Sequence, residues 1–306
     1  MNITPAHPLV SHDRMDSPTG LSPTSHFFTS LRTRLHYIDW GNRSAPTLIL
    51  VHGGFDHARS WDWTARALAR DYHVIAPDLR GHGDSSWSTQ GSYVIADLVY
   101  DLAQLVDQFG REQVVLVGHS LGGSVVLRYA GLFPHRVSKL VAIEGLGPSP
   151  ETQRERASQA APDQWLHWIE GRRKRAGRTP RRYPTFEAAV TRMQERNDHL
   201  SAEQALHLTA HGVNRNEDGS FSWKFDPCLR NMPPQGELDR DLPQFWNRIA
   251  CPVLLCLGND SWASNPLKDG RAAHFRDAQL VEFPDAGHWL HHDQFDRFVE
   301  ELQAFL

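Results

Sequence analysis

Residues 114–123 read Val-Val-Leu-Val-Gly-His-Ser-Leu-Gly-Gly, and this stretch constrains the fold more tightly than any other. The unbroken apolar run Val114, Val115, Leu116, Val117 has the pattern of a strand buried on both faces of a parallel sheet. It runs straight into Gly118-His119-Ser120-Leu121-Gly122, after which Val125, Val126, Leu127, Tyr129 and Leu132 recur at helical spacing. Strand, Gly-x-Ser-x-Gly turn and helix form the context in which this short pattern becomes a nucleophile elbow. So tight a turn excludes side chains at Gly118 and Gly122, and its strained backbone lifts the Ser120 hydroxyl out at the start of the helix. A bare G-x-S-x-G arises by chance in many chains, and a glycine-rich structural turn is the competing reading. The flanking strand and helix favour the nucleophile.

The rest of the chain alternates in the same way. Strands are expected at 34–40, 47–51, 73–77, 139–144, 251–258 and 279–283, with helices at 58–70, 93–109, 266–275 and 294–306. Such alternation argues for an α/β fold, a mostly parallel, doubly wound sheet with helices on both faces. Between about Gly145 and Leu242 the alternation stops, and helical patterns at 153–160, 164–175, 185–196 and 202–211 take over with little strand signal. The first 25 residues are rich in Pro, Ser, Thr and His and read as a flexible tail without the apolar centre of a signal peptide.

Four blocks stand in register along the chain: His52-Gly53-Gly54-Phe55 after a buried strand, Asp78-Leu79-Arg80-Gly81-His82-Gly83-Asp84-Ser85, the elbow, and Asp285-Ala286-Gly287-His288-Trp289. Their order resembles the α/β-hydrolase family over essentially everything from Phe27 to Leu306. The resemblance implies a core of residues 26–145 and 243–306, with 146–242 inserted as a helical cap over the site. The stretch Trp223-Lys224-Phe225-Asp226-Pro227 is motif-like, and the cap is similar to those of serine-hydrolase-like proteins.

A serine hydroxyl needs an adjacent base to attack at neutral pH. His288 stands where the family places its catalytic histidine. The family's usual acid is an aspartate in the loop after strand 251–258, but that position is Ser261, and Asp260 comes one residue early. Glu144, ending the strand beside the nucleophile strand, is the alternative. The displaced aspartate and the apolar run before Glu144 favour the glutamate, because a buried carboxylate needs a partner and His288 would supply it. Backbone N–H groups of Leu121 and of Gly54 or its neighbour Phe55 are the expected oxyanion donors.

Composition narrows the function class. A net charge of −4 gives no footprint for nucleic acid, and no apolar stretch is long enough to span a bilayer. The default expectation is a cytoplasmic enzyme, with the oligomeric state left open. The 3 cysteines, Cys228, Cys251 and Cys256, lack metal-ligand spacing and read as inert thiols. The basic run Arg172-Arg173-Lys174-Arg175, continuing to Arg178, Arg181 and Arg182, reads as a solvated surface, with an anion site for a coenzyme A or phosphopantetheine thioester as the sharper alternative. Asp56 and His57 are candidates for an entrance, and His291 and His292 for a half-exposed helix terminus. Trp61, Trp63, Trp165, Trp168, Trp223, Trp262 and Trp289 divide between core and pocket wall. The expected function is a serine hydrolase acting on a small-molecule carboxylic ester, with no cofactor and no metal. Lactone, thioester or carbon–carbon hydrolysis, cofactor-free oxygen chemistry and a ligand receptor on the same scaffold remain as alternatives. Aspartate-dependent epoxide and dehalogenase chemistry is disfavoured by Ser120.

Overall fold

The computed structural model describes residues 22–175, 179–230, 233 and 241–306. In chain order its strands are β1 (Thr24–Ser30), β2 (Thr33–Asp39), β3 (Thr47–Val51), β4 (His73–Pro77), β5 (Val114–His119), β6 (Val137–Ile143), β7 (Val213–Arg215), β8 (Phe221–Trp223), β9 (Val253–Gly258) and β10 (Ala278–Phe283). The helices are α1 (Asp62–Leu68), α2 (Ile95–Gln108), α3 (Leu121–Leu132), α4 (Pro150–Ser158), α5 (Ala161–Arg175), α6 (Phe186–Arg196), α7 (Ala202–Gly212), α8 (Leu242–Trp246), α9 (Leu290–Asp293) and α10 (Phe295–Phe305).

Eight strands make one sheet in the order β1-β2-β4-β3-β5-β6-β9-β10. Pairing is antiparallel for β1–β2 and β2–β4 and parallel from β4 to β10. Every residue of β3, β4, β5 and β9 is buried, as continuous apolar runs covered on both faces require. Alternate residues of one strand feed opposite cores. Ile49, Val51 and Leu116 join Leu98, Leu102, Val125, Tyr129 and Trp246 on the side of α2, α3 and α8. Leu48, Leu50, Val115 and Val117 face the other way, against Trp61, Ala65, Leu68, Phe298 and Leu302 of the α1 and α10 layer.

Three local readings of the sequence are corrected. Thr24 and Ser25 belong to β1, paired with Asp39 and Ile38, so the tail expected through residue 25 is shorter; residues 1–21 of it, like Arg178, lie outside the described residues. The helix expected at 266–275 shrinks to a single 3-10 turn, Arg271–His274, because Gly270 adopts a left-handed φ of 85°. The inserted segment, expected to be helical, also carries the hairpin β7–β8, with Tyr183 bridged to Phe221. Its Asp218-Gly219 pair, with Gly219 at φ 85°, was the signal for that turn.

The inserted segment is fastened to the core by the motif-like stretch at 223–227. The Asp226 carboxylate accepts the Tyr93 hydroxyl proton at 2.6 Å, and the Asp226 N–H donates to the Gly81 carbonyl at 2.8 Å. Lys224 pairs with Asp84 at 2.8 Å. From the core, His57 Nε2 donates to the Leu208 carbonyl of α7 at 2.9 Å. Tyr93 and Asp226 are both buried, so their bond is a charge-assisted one in low dielectric. Tyr93→Phe is expected to lower unfolding free energy by about 1.5–3 kcal/mol in urea titration, with the m-value unchanged. A loss within error would show that this strap contributes no stability.

Candidate active site

Ser120 sits between the last residue of β5 and the first of α3 with φ 50° and ψ −113°, outside the regions open to ordinary residues. Its N–H donates to the Ile143 carbonyl at 2.8 Å. The neighbouring glycines are required by contact. A Cβ on Gly118 would lie 2.6 Å from the Gly122 oxygen, and one on Gly122 would lie 2.2 Å from the Val51 oxygen. In the loops that border the site, Phe55 at 64°, Glu144 at 48° and Asp285 at 52° also have a positive φ.

These loops bring Ser120, His288 and Glu144 together. His288 Nε2 is 2.9 Å from Ser120 Oγ, and His288 Nδ1 hydrogen-bonds Glu144 Oε2. Glu144 lies one residue past β6, and its carboxylate is fully buried. Two other donors hold it: the Gly258 N–H at 2.9 Å to Oε1 and the Ser261 hydroxyl at 2.6 Å to Oε2. Asp260 is not brought into this group. Its side chain is exposed, and its N–H donates to the Ala286 carbonyl at 2.9 Å. Ser261, noted in the sequence only as a missing acid, is thus a direct partner of the glutamate.

The loop after β3 passes against the serine. A Cβ on Gly53 would come 2.6 Å from His119 Nδ1 and 3.3 Å from Ser120 Cβ, whereas Gly54 has open space above it. His52, buried, donates from Nδ1 to the Gly53 carbonyl at 2.7 Å and accepts the Leu79 N–H at Nε2, which fixes one neutral tautomer. Leu121 opens α3, so its N–H belongs to the first turn and has no intrahelical acceptor. Aromatic groups border the site. Phe55 stands edge-on to Phe225 of the inserted segment at 5.2 Å, with the Arg230 guanidinium 4.2 Å above the Phe55 ring. Trp262, 75% exposed, tilts over His288 at 4.8 Å.

Other singled-out residues fall elsewhere. Asp56 and His57 are buried and line no entrance; His291 and His292 are buried too, behind Trp61 and Trp63, because their helix docks on the core instead of ending in solvent. His119 points away from the serine and bonds the His288 carbonyl at 2.8 Å. The Asp78–Ser85 loop finds most of its partners outside itself. Asp78 accepts from His36 at 2.7 Å and the Ala58 N–H at 2.6 Å, and Arg80 grips Asp101 through two 2.7 Å bonds. In the basic run Arg172 donates to the Gln90 and Gly91 carbonyls, and Arg182 pairs with Glu217 and Asp218. Burial raises the thiols of Cys256 and Cys251, the latter to about 11, as inert cysteines require. Trp61 is core, while Trp165 is exposed.

A family model for the alpha/beta hydrolase fold matches residues 46–295, and the chain belongs to that family. Epoxide hydrolase 4 of Mus musculus is 35% identical over 288 residues, covering 89% of this chain and 76% of its own length. An esterase of Mycobacterium tuberculosis is 27% identical over 271 residues, covering 87% and 84%. Among solved structures, the thioesterase domain from the curacin biosynthetic pathway superposes with a TM-score of 0.79 at 22% identity, over 92% of this chain and 99% of that one. That likeness speaks for the fold, and the named relatives support a hydrolase. No helix among the described residues is long and apolar enough to cross a membrane.

Around the site the fold buries several imidazoles. Burial pushes His52 down to about 3, His82 to about 4 and His292 to about 3, and holds His119 and His291 well below the ordinary value. Asp56 moves the other way, raised by burial to about 7. Each depressed histidine leaves stability untouched above its ordinary value near 6.5. Below that, the unfolded chain takes up a proton that the fold refuses, until pH reaches the folded value. Asp56 offsets one histidine, since the fold binds its proton more readily than the unfolded chain does. Unfolding free energy is therefore expected to be nearly flat from pH 8 to 7. It should then fall steeply between pH 6 and 4.5, by about 5 kcal/mol per pH unit, since the unfolded chain binds a net excess of about four protons. Urea midpoints measured across that range test this, and a flat profile would mean that the imidazoles are not held neutral.

Proposed function

We propose that this hydrolase cleaves carboxylic esters of small molecules through an acyl-enzyme on Ser120. The observation that carries the reading is the continuous relay Ser120 Oγ, His288, Glu144, with the serine 2.9 Å from His288 Nε2. Ser120 Oγ attacks the ester carbonyl while Nε2 takes its proton. The N–H groups of Leu121 and of Gly54 or Phe55 receive the negative charge that develops on the carbonyl oxygen. The imidazolium, steadied by Glu144, then hands the proton to the departing alkoxide. A water activated by the same nitrogen attacks the acyl group, and collapse of that second intermediate frees the acid and restores Ser120. None of these steps calls for a cofactor.

The inserted segment, residues 146–242, acts in this reading as the cap, and Phe225 supplies part of the wall facing the oxyanion loop. Lactones and thioesters would use the same acyl chemistry. Thioesters of phosphorylated carriers are disfavoured, because Arg172 and Arg182 are engaged with protein carbonyls and carboxylates. Epoxide opening, the activity in one relative's name, fits Ser120 poorly: this family's epoxide chemistry usually runs through an aspartate nucleophile.

Fluorophosphonate labelling should modify the wild-type protein at Ser120. Ser120→Ala should cut hydrolysis of p-nitrophenyl esters by about 10⁴-fold or more, with the fold retained by circular dichroism. Residual turnover within about tenfold of wild type would remove Ser120 from the nucleophile role. The acid is tested by charge alone. Glu144→Gln is expected to lower kcat by about 10³–10⁴-fold, and Asp260→Asn by less than about tenfold. The reverse ranking would transfer the role to Asp260.

A further inference from the structure

A second cluster of ligand-type side chains lies away from Ser120. His207 and His211 stand one turn apart on the same face of α7, their rings 4.6 Å apart, and face Asp62 at the start of α1. One potential ligand atom from each of the three lies within 4.8 Å of the others. The Asp62 side chain is 2% exposed. Its Oδ2 takes the Arg59 Nε–H at 2.6 Å and lies 3.1 Å from His207 Nε2, but its Oδ1 is buried with no hydrogen-bond partner. An orphaned carboxylate oxygen inside the fold is costly and invites a cation. The similar grouping of His36, Asp78 and Asp84 lacks this feature, because both Asp78 oxygens already accept hydrogen bonds.

We propose that Asp62, His207 and His211 bind a divalent first-row transition metal, of which zinc suits the donor set best, and that the metal staples α7 of the inserted segment to the core. Two imidazole nitrogens and one carboxylate oxygen are three of the four ligands of a tetrahedral zinc, with water left to fill the last position. Donors around such a metal sit about 3.3 Å apart, so side-chain rotations close the remaining gap. Among the described residues Arg59 and Lys224 are cations facing the site, and Arg59, 23% exposed, limits affinity while it stays on Asp62. Swinging outward into solvent would relieve that repulsion. The site stands independently of the serine chemistry, and its test reads binding and stability, not turnover.

The full chain, stripped with a chelator, is titrated with zinc chloride by calorimetry and melted with and without metal. One equivalent is expected to bind, and Tm should rise by about 5 °C at a hundredfold excess over Kd. Cobalt(II) in its place should give the intense visible bands of a tetrahedral site. His211→Ala should weaken zinc at least about tenfold and abolish the Tm rise, and Arg59→Ala should tighten binding. His207→Gln, measured in parallel, keeps the test decisive if His211→Ala fails to fold. Zinc binding that is undiminished in both histidine variants, or a wild-type protein whose Tm zinc does not raise, would overturn the proposal.

Discussion

At the junction of β5 and α3, backbone meets backbone with no side chain between. Gly122 lies against the carbonyls of Val51 and His52, Gly118 against Gly122, and Gly123 against Gly145, each with a Cβ-sized space already filled. This close approach lets the helix start directly above the strand and holds Ser120 at its strained positive φ. It also draws the end of β6 against α3, and so sets where Glu144 begins its turn. Backbone strain of this kind costs on the order of 1–3 kcal/mol per residue. A sheet whose central strands are buried throughout can bear it, because relaxing any one turn would open packing on both faces.

Around that junction several buried charged groups are held by partners within the fold. Against the pull of burial, the His36 hydrogen bond and charge hold Asp78 well below the usual carboxylate range. From there Asp78 anchors the Ala58 N–H and the Asp84 N–H. Arg80 is fixed by Asp101, which also accepts from Ser30 at 2.5 Å. The loop after β4 is thereby a girder between β1, α2 and the turn before α1. Phe55 and Gly54 are presented from a frame tied on several sides.

Much of this was legible in the chain. The turn between β5 and α3 could be read because apolar strand, glycines and helix are all local signals, and the positions of Ser120 and His288 in loops after strands were marked in the same way. The fold class followed from the alternation, and the family from the resemblance carried by the four motif blocks. What could not be read depends on neighbours remote in sequence. Asp56, His57, His291 and His292 are polar residues whose burial comes from tertiary docking of their helices, and no periodicity marks it. The hairpin β7–β8 has strands of three residues, too short for an alternation to register, although its Asp-Gly turn was visible. Ser261 could be counted as an absent aspartate, but its hydroxyl reaches Glu144 only because β6 and β9 lie side by side.

The carboxylate of Glu144 has two moorings that do not belong to the imidazole, Gly258 N–H and Ser261 Oγ. On the proposed reading this separates the relay into a stator and a rotor. The glutamate keeps its address whether or not His288 is docked on it, since losing that bond leaves both carboxylate oxygens still occupied. His288, with Trp262 leaning over it from the solvent side, is the member free to pivot between serine and leaving group and return to an unchanged berth. An acid carried on a mobile loop would have to be found again at each turnover. Here the search is confined to one ring.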